Sequence, residues 1–410
     1  MKELPLAGIR VADLSMMWAG PFCTRLLGEM GAEVIKIESP RAWDNVRTLL
    51  PQPGAPEPWN TSYYFNDYNR DKKSLTLDLS QPRGKELYLE LIARCDCVIE
   101  NYRADVLDKL GIGWDALRRA KPDIILISMA GFGKTGSEKG FVGFGPIIEQ
   151  MAGMASTTGY GDDGVPYKTG ISYGDPIGGI AAAGAVALAL IARRRTGQGA
   201  WIDLAQRETM AQMLGPAFAA ASLRGAAPVH RGNRDPRFAP QGLYPCLGSD
   251  QWVAISARDE REWWALARAI GAPELESLEL DVRRARHDEL DRRIEAWTRA
   301  LLPREAAESL QRAGVAAAPV LDCNAIHQDP HLAARGSWVE LPQPKMKTWK
   351  QPASAWRLVE AQPLPRRHAP LFGEHNREIL CGLLGHSERE LGELAAAGII
   401  GDAPIGAREG

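Results

Sequence analysis

The sequence predicts an α/β protein, with a parallel sheet covered by helices, followed by a smaller α+β domain. The stretch "GIRVADLS" (8–15) reads as a buried strand, and "GPFCTRLLGEMGA" (20–32) has helical spacing with Cys23, Leu26, Leu27 and Met30 on one side. "EVIKIES" (33–39) is a second strand, and a β-α-β start of this kind points to a parallel sheet. The unit then repeats, and 410 residues exceed the usual size of one compact core, so two domains are expected.

The elements follow in order. "KSLTLDL" (73–79) is a strand, "PRGKELYLELIARC" (82–95) a helix opened by proline, and "DCVIEN" (96–101) a strand. "VLDKLGIGWDALRRAKP" (106–122) is helical, and "DIILISMAGFG" (123–133) is a strand running into a glycine loop. Ligands of open α/β sheets bind beyond the carboxyl ends of strands, which gives weight to "ENYR" and "GFGKTG". Residues 51–73 have no period and are rich in Pro, Asn and aromatics, so they read as an ordered loop or lid. An irregular stretch at 223–242 precedes "LYPCLGSDQWVAISA", a β-hairpin, and Arg/Glu-rich helices continue to about 314. The α+β domain therefore runs from 225 to 325. Short strands and turns follow, and "HNREILCGLLG" (375–385) reads as the closing helix.

Composition excludes several functions. A net charge of −2 gives nucleic acid or an anionic membrane no attraction to the chain as a whole. Six scattered cysteines without CxxC pairs indicate a reduced, cytoplasmic chain, and the N-terminus has neither signal nor transit pattern. The apolar run Ile177–Ala192 falls short of the ~20 residues a spanning helix needs, so a buried helix is expected. No HExxH pair occurs among the seven histidines, and Asp329 and Pro330 break the spacing between His327 and His331, so no metal site is expected and the histidines read as surface or turn residues. GxSxG is absent, and the first strand is followed by "MMWAGPFC" rather than GxGxxG, which argues against a serine hydrolase and a nicotinamide site.

One acidic residue stands out. In "YGDPIGGIAAAGAVALALIARRRTGQG" (173–199), Asp175 precedes a proline and a Gly/Ala-rich helix. Asp is a preferred N-cap and proline a preferred first helical residue, so a purely structural cap is one reading. The same helix N-terminus favours the ionised carboxylate, and neighbouring glycines leave a ligand room, so a nucleophile is the other.

The chain resembles the class III CoA-transferases of the formyl-CoA transferase and carnitine-CoA transferase type. The similarity is carried by "LAGIRVADLSMMWAGPFCTRLLGEMGAEVIKIESP", "NRDKKSLTLDLSQPRGKELYLELIARCDCVIENYRADVLDKLGIGWDAL", "ISMAGFGKTG", "YGDPIGGIAAAGAVALALIARRRTGQGAWIDLA", "AGVAAAPVLDCNAIHQDPHLAARGSWVEL" and "APLFGEHNREILCGLLG", in order along nearly the whole chain. The resemblance implies a Rossmann-like large domain built from both chain ends (1–224, and 326–410 as a linker and C-terminal return), a smaller α+β domain between them, and an interlocked dimer. It also implies that Asp175 attacks an acyl-CoA thioester, with no permanently bound cofactor and coenzyme A thioester as substrate. By the same resemblance, Trp18 and Ala19 approach the thioester, while Leu77, Asn101 and Tyr102 line the adenine and pantetheine channel. Arg103 and Lys109 meet the phosphates, and Arg41 and Lys134 are further contacts.

The sequence also departs from that family. Trp18 stands where formyl-CoA transferases have glutamine, and their four-glycine loop is missing, with only Gly248 near its place. Trp18, Phe22 and the cluster Trp59, Tyr63, Tyr64 and Phe65 suggest a roomier pocket for an aryl- or alkyl-substituted dicarboxylate such as an arylsuccinate, with succinyl-CoA as donor. An α-methylacyl-CoA racemase is the alternative, weakened because Gly145 stands where that group's acidic residue falls. A subunit of a heteromeric CoA-transferase is another.

Overall fold

The computed structural model describes residues 3–161, 165–226, 230–361 and 364–406; residues 227–229 of the irregular stretch lie outside it. The chain forms two compact units, Met1–Met154 with Lys168–Ala219 and Ala334–Gly410, and Ala155–Tyr167 with Ala220–Ala333.

The first unit is built on six parallel strands: β1 (Arg10–Asp13), β2 (Glu33–Glu38), β3 (Lys72–Thr76), β4 (Cys97–Glu100), β5 (Ile125–Ser128) and β6 (Ala200–Asp203). Their order is β3-β2-β1-β4-β5-β6, the doubly wound arrangement, with the switch point between β1 and β4. Both sheet faces are buried, as parallel strands require. One carries Ala12, Ile35, Val98 and Leu126 against Leu87, Leu91 and Leu117. The other carries Val11, Val34, Ile99 and Ile127 against Cys23, Leu27, Ala182 and Val186.

The helices of this unit include α1 (Ala19–Glu29), α2 (Tyr63–Asn69), α3 (Pro82–Ile92), α4 (Val106–Leu110), α5 (Trp114–Ala120), α6 (Gly145–Met151), α7 (Gly174–Thr196) and α8 (Gln206–Gln212). Four expectations need correction. The stretch 51–73 contains α2, started by the Ser62 hydroxyl accepting from the Phe65 N–H at 3.1 Å, so the expected ordered loop is helical in part. The stretch 106–122 is two helices, because Gly111 takes the left-handed conformation (φ 73°) that ends α4. The chain does not close at 375–385: one π-helical turn there (Glu378–Leu383) leads to a further helix, Glu388–Ala396, opened by a Ser387/Glu390 capping box. Finally, α7 is 23 residues long, apolar enough to pass for a membrane span by length and composition, and exposed along one side at Ile180, Leu188 and Ile191.

The C-terminal segment returns to the sheet of the same unit. The Asn376 side chain accepts from the Thr76 N–H at 2.8 Å, and the Arg70 guanidinium donates to the Pro352 carbonyl at 2.6 Å. Such long-range bonds along the β3 edge explain how both chain ends share one domain.

The second unit holds an antiparallel sheet of β7 (Gln241–Pro245), β8 (Trp252–Ser256) and β9 (Ala316–Val320). Helices α9 (Glu260–Ala269), α10 (Leu280–Ala285), α11 (His287–Thr298) and α12 (Pro303–Arg312) accompany it. Its core joins Val253 and Ile255 to Trp263, Leu266, Leu290, Ile294 and Leu310. The β7–β8 hairpin matches the sequence reading, whereas the Ala-rich β9 carried no strand signal. His287 corrects the expectation of surface histidines: it is buried and its Nε2 accepts from the Gln241 N–H at 3.0 Å.

Candidate active site

Asp175 is not the N-cap of α7. The helix begins one residue earlier at Gly174, with Tyr173 in the cap position, so Asp175 is its second residue and its carboxylate is not spent on its own helix. It faces instead the backbone N–H of Ala19, the first residue of α1, which acts to lower its pKa. Two helix N-termini thus converge on one carboxylate, an arrangement that favours its charged form. Burial works against this and prevails, pushing the Asp175 pKa up to about 6 despite the Ala19 N–H.

Glycine makes this meeting possible at two positions. A Cβ on Gly179 would lie 2.8 Å from the Ala19 carbonyl oxygen and 3.0 Å from the Phe22 ring, so its absence lets α1 and α7 cross closely. A Cβ on Gly145, at the start of α6, would lie 2.2 Å from Asp175 Oδ2. Gly145 therefore makes the space the carboxylate occupies.

An aromatic group stands over the turn before α1. Trp18 packs edge-on to Tyr64 (centroids 6.0 Å apart) and against Tyr68 (5.4 Å), and Tyr68 also meets Phe22 (6.1 Å). Burial and then the Asp175 charge raise the Tyr64 phenol to about 12, so it remains a neutral donor at ordinary pH. The indole N–H of Trp18 is buried without a protein partner. Of the four aromatics singled out between 59 and 65, Tyr64 alone belongs here. Trp59 and Phe65 are buried, Phe65 in a small core with Val46, and Tyr63 packs on Trp349. Tyr68 was missed, although its spacing of four residues from Tyr64 on a helix would have placed both on one face.

A second feature lies beyond the carboxyl ends of β1 to β4. A cavity of about 230 Å³ is lined by Leu14, Met16, Ile37, Leu77, Tyr102 and Val106, among others. Leu77 and Tyr102 therefore come together as expected. Arg41 is bonded to Asp78 on the cavity wall (Nε–Oδ2 3.3 Å), and Lys109 pairs with Asp105 on exposed α4 beside Val106. Arg103 is exposed just after β4. Lys134 Nζ is buried, 2.8 Å from Glu100 Oε1 and 3.2 Å from the Ala104 carbonyl. Asn101 does not line the cavity; its amide is bonded to both polar groups of the Met16 peptide, at 2.8 and 2.7 Å. Met16 thus borders the cavity, and three residues later Ala19 meets Asp175. A larger cavity, about 590 Å³, lies on the β7–β8–β9 sheet, but no ionisable side chain lines it. Among the described residues no cluster of metal-ligating side chains is found.

A doubly wound α/β unit with an apolar cavity past the ends of its strands, and a half-buried carboxylate where α7 meets α1, has the layout in which open α/β sheets bind small ligands. The chain belongs to CoA-transferase family III, whose sequence pattern it matches over residues 6–376, and is an enzyme that transfers CoA. It is 34% identical to a succinyl-CoA–D-citramalate CoA-transferase of Chloroflexus aurantiacus, covering 97% of this chain and 98% of that one. It is 31% identical to a formyl-CoA:oxalate CoA-transferase of Streptomyces coelicolor, covering 98% and 100%. The crystal structure of a CAIB/BAIF family protein from Brucella suis superposes with a TM-score of 0.85 at 30% identity, covering 93% of this chain and 100% of that one.

Proposed function

We propose that this cytoplasmic enzyme moves CoA from an acyl-CoA, succinyl-CoA being the first donor to test, to a dicarboxylic acid, with Asp175 as the nucleophile. The observation that carries the proposal is the Asp175 carboxylate, which faces the start of α1 where α1 and α7 cross closely at Gly179 and which fills the space left by Gly145. The ionised carboxylate attacks the thioester carbonyl, the C–S bond breaks, and CoA leaves as thiolate, giving a mixed aspartyl anhydride. The thiolate then attacks the aspartyl carbonyl and releases the donor acid, leaving an aspartyl-CoA thioester. The acceptor carboxylate attacks that carbonyl and expels the thiolate again, forming a second anhydride. The returning thiolate takes the acceptor acyl group as the new thioester and frees Asp175. Every intermediate holds one activated acyl group, first as an anhydride, then as the aspartyl thioester and again as an anhydride, so no energy is lost to hydrolysis.

Tetrahedral oxyanions need donors, and the N–H groups at the start of α1 and the unpartnered Trp18 indole are the available ones. Leu77 and Tyr102 fit the apolar part of CoA, with Arg41, Arg103 and Lys109 toward its phosphates. Both relatives are named for a dicarboxylate acceptor, D-citramalate or oxalate. The ring group of Trp18, Phe22, Tyr64 and Tyr68 supports a bulkier acceptor than oxalate, such as an arylsuccinate. The exposed apolar side of α7 supports an interlocked dimer.

A panel of dicarboxylic acids with succinyl-CoA tests the reaction: acid-dependent formation of a new thioester is expected. Deuterium uptake from solvent at the acyl Cα without any acceptor acid would instead mark a racemase.

A further inference from the structure

The turn between β1 and α1 has no ladder of its own, and side chains from three other places impose its shape. The Ser15 N–H donates to Asp13 Oδ1 at 2.9 Å, and the Ser15 carbonyl accepts from Lys36 Nζ at 2.7 Å. Both polar groups of Met16 go to Asn101: its N–H donates to Oδ1 at 2.8 Å and its carbonyl accepts from Nδ2 at 2.7 Å. The Met17 N–H donates to Asp44 Oδ1 at 2.9 Å, and Asp44 is itself paired with Lys36 at 2.9 Å in a fully buried contact. Met17 needs this restraint, because its φ of 66° is a conformation that side-chain-bearing residues rarely hold. Two residues later comes the Ala19 N–H that meets Asp175.

We propose that Asn101 is a positioning residue: by clamping both sides of the Met16 peptide, with Asp44 holding Met17, it sets the β1–α1 turn so that the Ala19 N–H is presented to Asp175. Asn101 stands at the carboxyl end of β4, so the clamp also ties the two strands of the switch point together. A Cβ on Gly20 would lie 3.4 Å from the Asn101 amide carbon, so the side chain packs directly under the first turn of α1. The assignment rests on Asp175 as nucleophile. The titratable groups that feel Asp175 are Tyr64 and Tyr68 of α2, both raised first by burial and neutral between pH 5 and 8.

The test is steady-state kinetics of Asn101→Ala and Asn101→Asp across pH 5–8. For Asn101→Ala, kcat falls ~10–100-fold while KM for acyl-CoA stays within about 3-fold. The acid limb of kcat/KM moves up, because the Ala19 N–H no longer holds the Asp175 carboxyl down. Asn101→Asp keeps the acceptor for the Met16 N–H, loses the donor to its carbonyl, and falls between Asn101→Ala and wild type, which covers the case of an unfolded alanine variant. A tenfold rise in KM with kcat and the acid limb unchanged would overturn the proposal in favour of a CoA contact. Unchanged kinetics would overturn it outright. Hydroxylamine trapping on wild-type Asp175 separates the two levels. Trapping that succeeds beside either contrary result sinks the clamp alone, and trapping that fails at Asp175 during turnover sinks both.

Discussion

The backbone N–H of Ala19 faces the carboxylate of Asp175 and works to lower its pKa, so the first residue of α1 and the second residue of α7 meet at one charge. Burial leaves that carboxyl with a pKa of about 6, inside the range where activity is measured. The protonated acid is no nucleophile. In a pH profile, kcat/KM should therefore fall about tenfold per unit below an acid limb near pH 6. A flat profile down to pH 4.5 would contradict this.

Burying that carboxylate also costs stability. Its folded pKa lies above the ordinary 3.8, so the folded state binds the proton more tightly, and the penalty is full above about pH 6 and gone below about pH 4. Asp175→Asn keeps an acceptor for the Ala19 N–H and sheds the charge. It should be more stable than wild type by ~1–3 kcal/mol at pH 7.5, with the gain shrinking toward pH 4. Thermal melts of the pair across that range check the sign.

Gly145→Ala should lower activity ~100-fold with the fold intact, since its Cβ would sit 2.2 Å from Asp175 Oδ2 and the carboxylate would have to move. Gly392→Ala is the control. It lies exposed in the helix Glu388–Ala396 with nothing near its Cβ, and should raise stability by ~0.5–1 kcal/mol without touching turnover.

Arg47 is fully buried and forks onto Glu38 (Nε–Oε1 2.9 Å, Nη2–Oε2 2.8 Å), over the Phe65 ring at 3.5 Å. Arg47→Met strands a buried carboxylate and should cost ~3–5 kcal/mol in urea unfolding, part of it recovered by adding Glu38→Gln. Burial raises the Glu38 pKa, yet the Arg47 charge and hydrogen bonds outweigh it and leave it lowered. This pair's stabilisation is therefore present above the ordinary value of 4.5 and lost as pH falls through the lower folded value.

The parallel sheet was legible because its strands are short apolar runs separated by helices with clear one-sided spacing. Element ends were not, since they turn on single residues such as Gly111 and Gly174, and β9 is too rich in alanine to show a strand pattern. At the site, Asp175 drew notice through its proline and glycines, but the glycine that matters most to its carboxylate, Gly145, lies 30 residues away in sequence. Asn101 and Lys134 were visible as polar residues past strand ends. Nothing local could show that Met16 and Glu100 already engage them, because those bonds exist only once the sheet order is fixed.

The central claim is that Asp175 carries the acyl group. The direct measurement is incubation with succinyl-CoA and hydroxylamine during turnover, followed by mass spectrometry of the peptide containing residue 175. A hydroxamate on Asp175, absent without acyl-CoA and absent in Asp175→Ala, is the predicted result. Continued CoA exchange with Asp175 unmodified, or with Asp175→Ala still active, would contradict it.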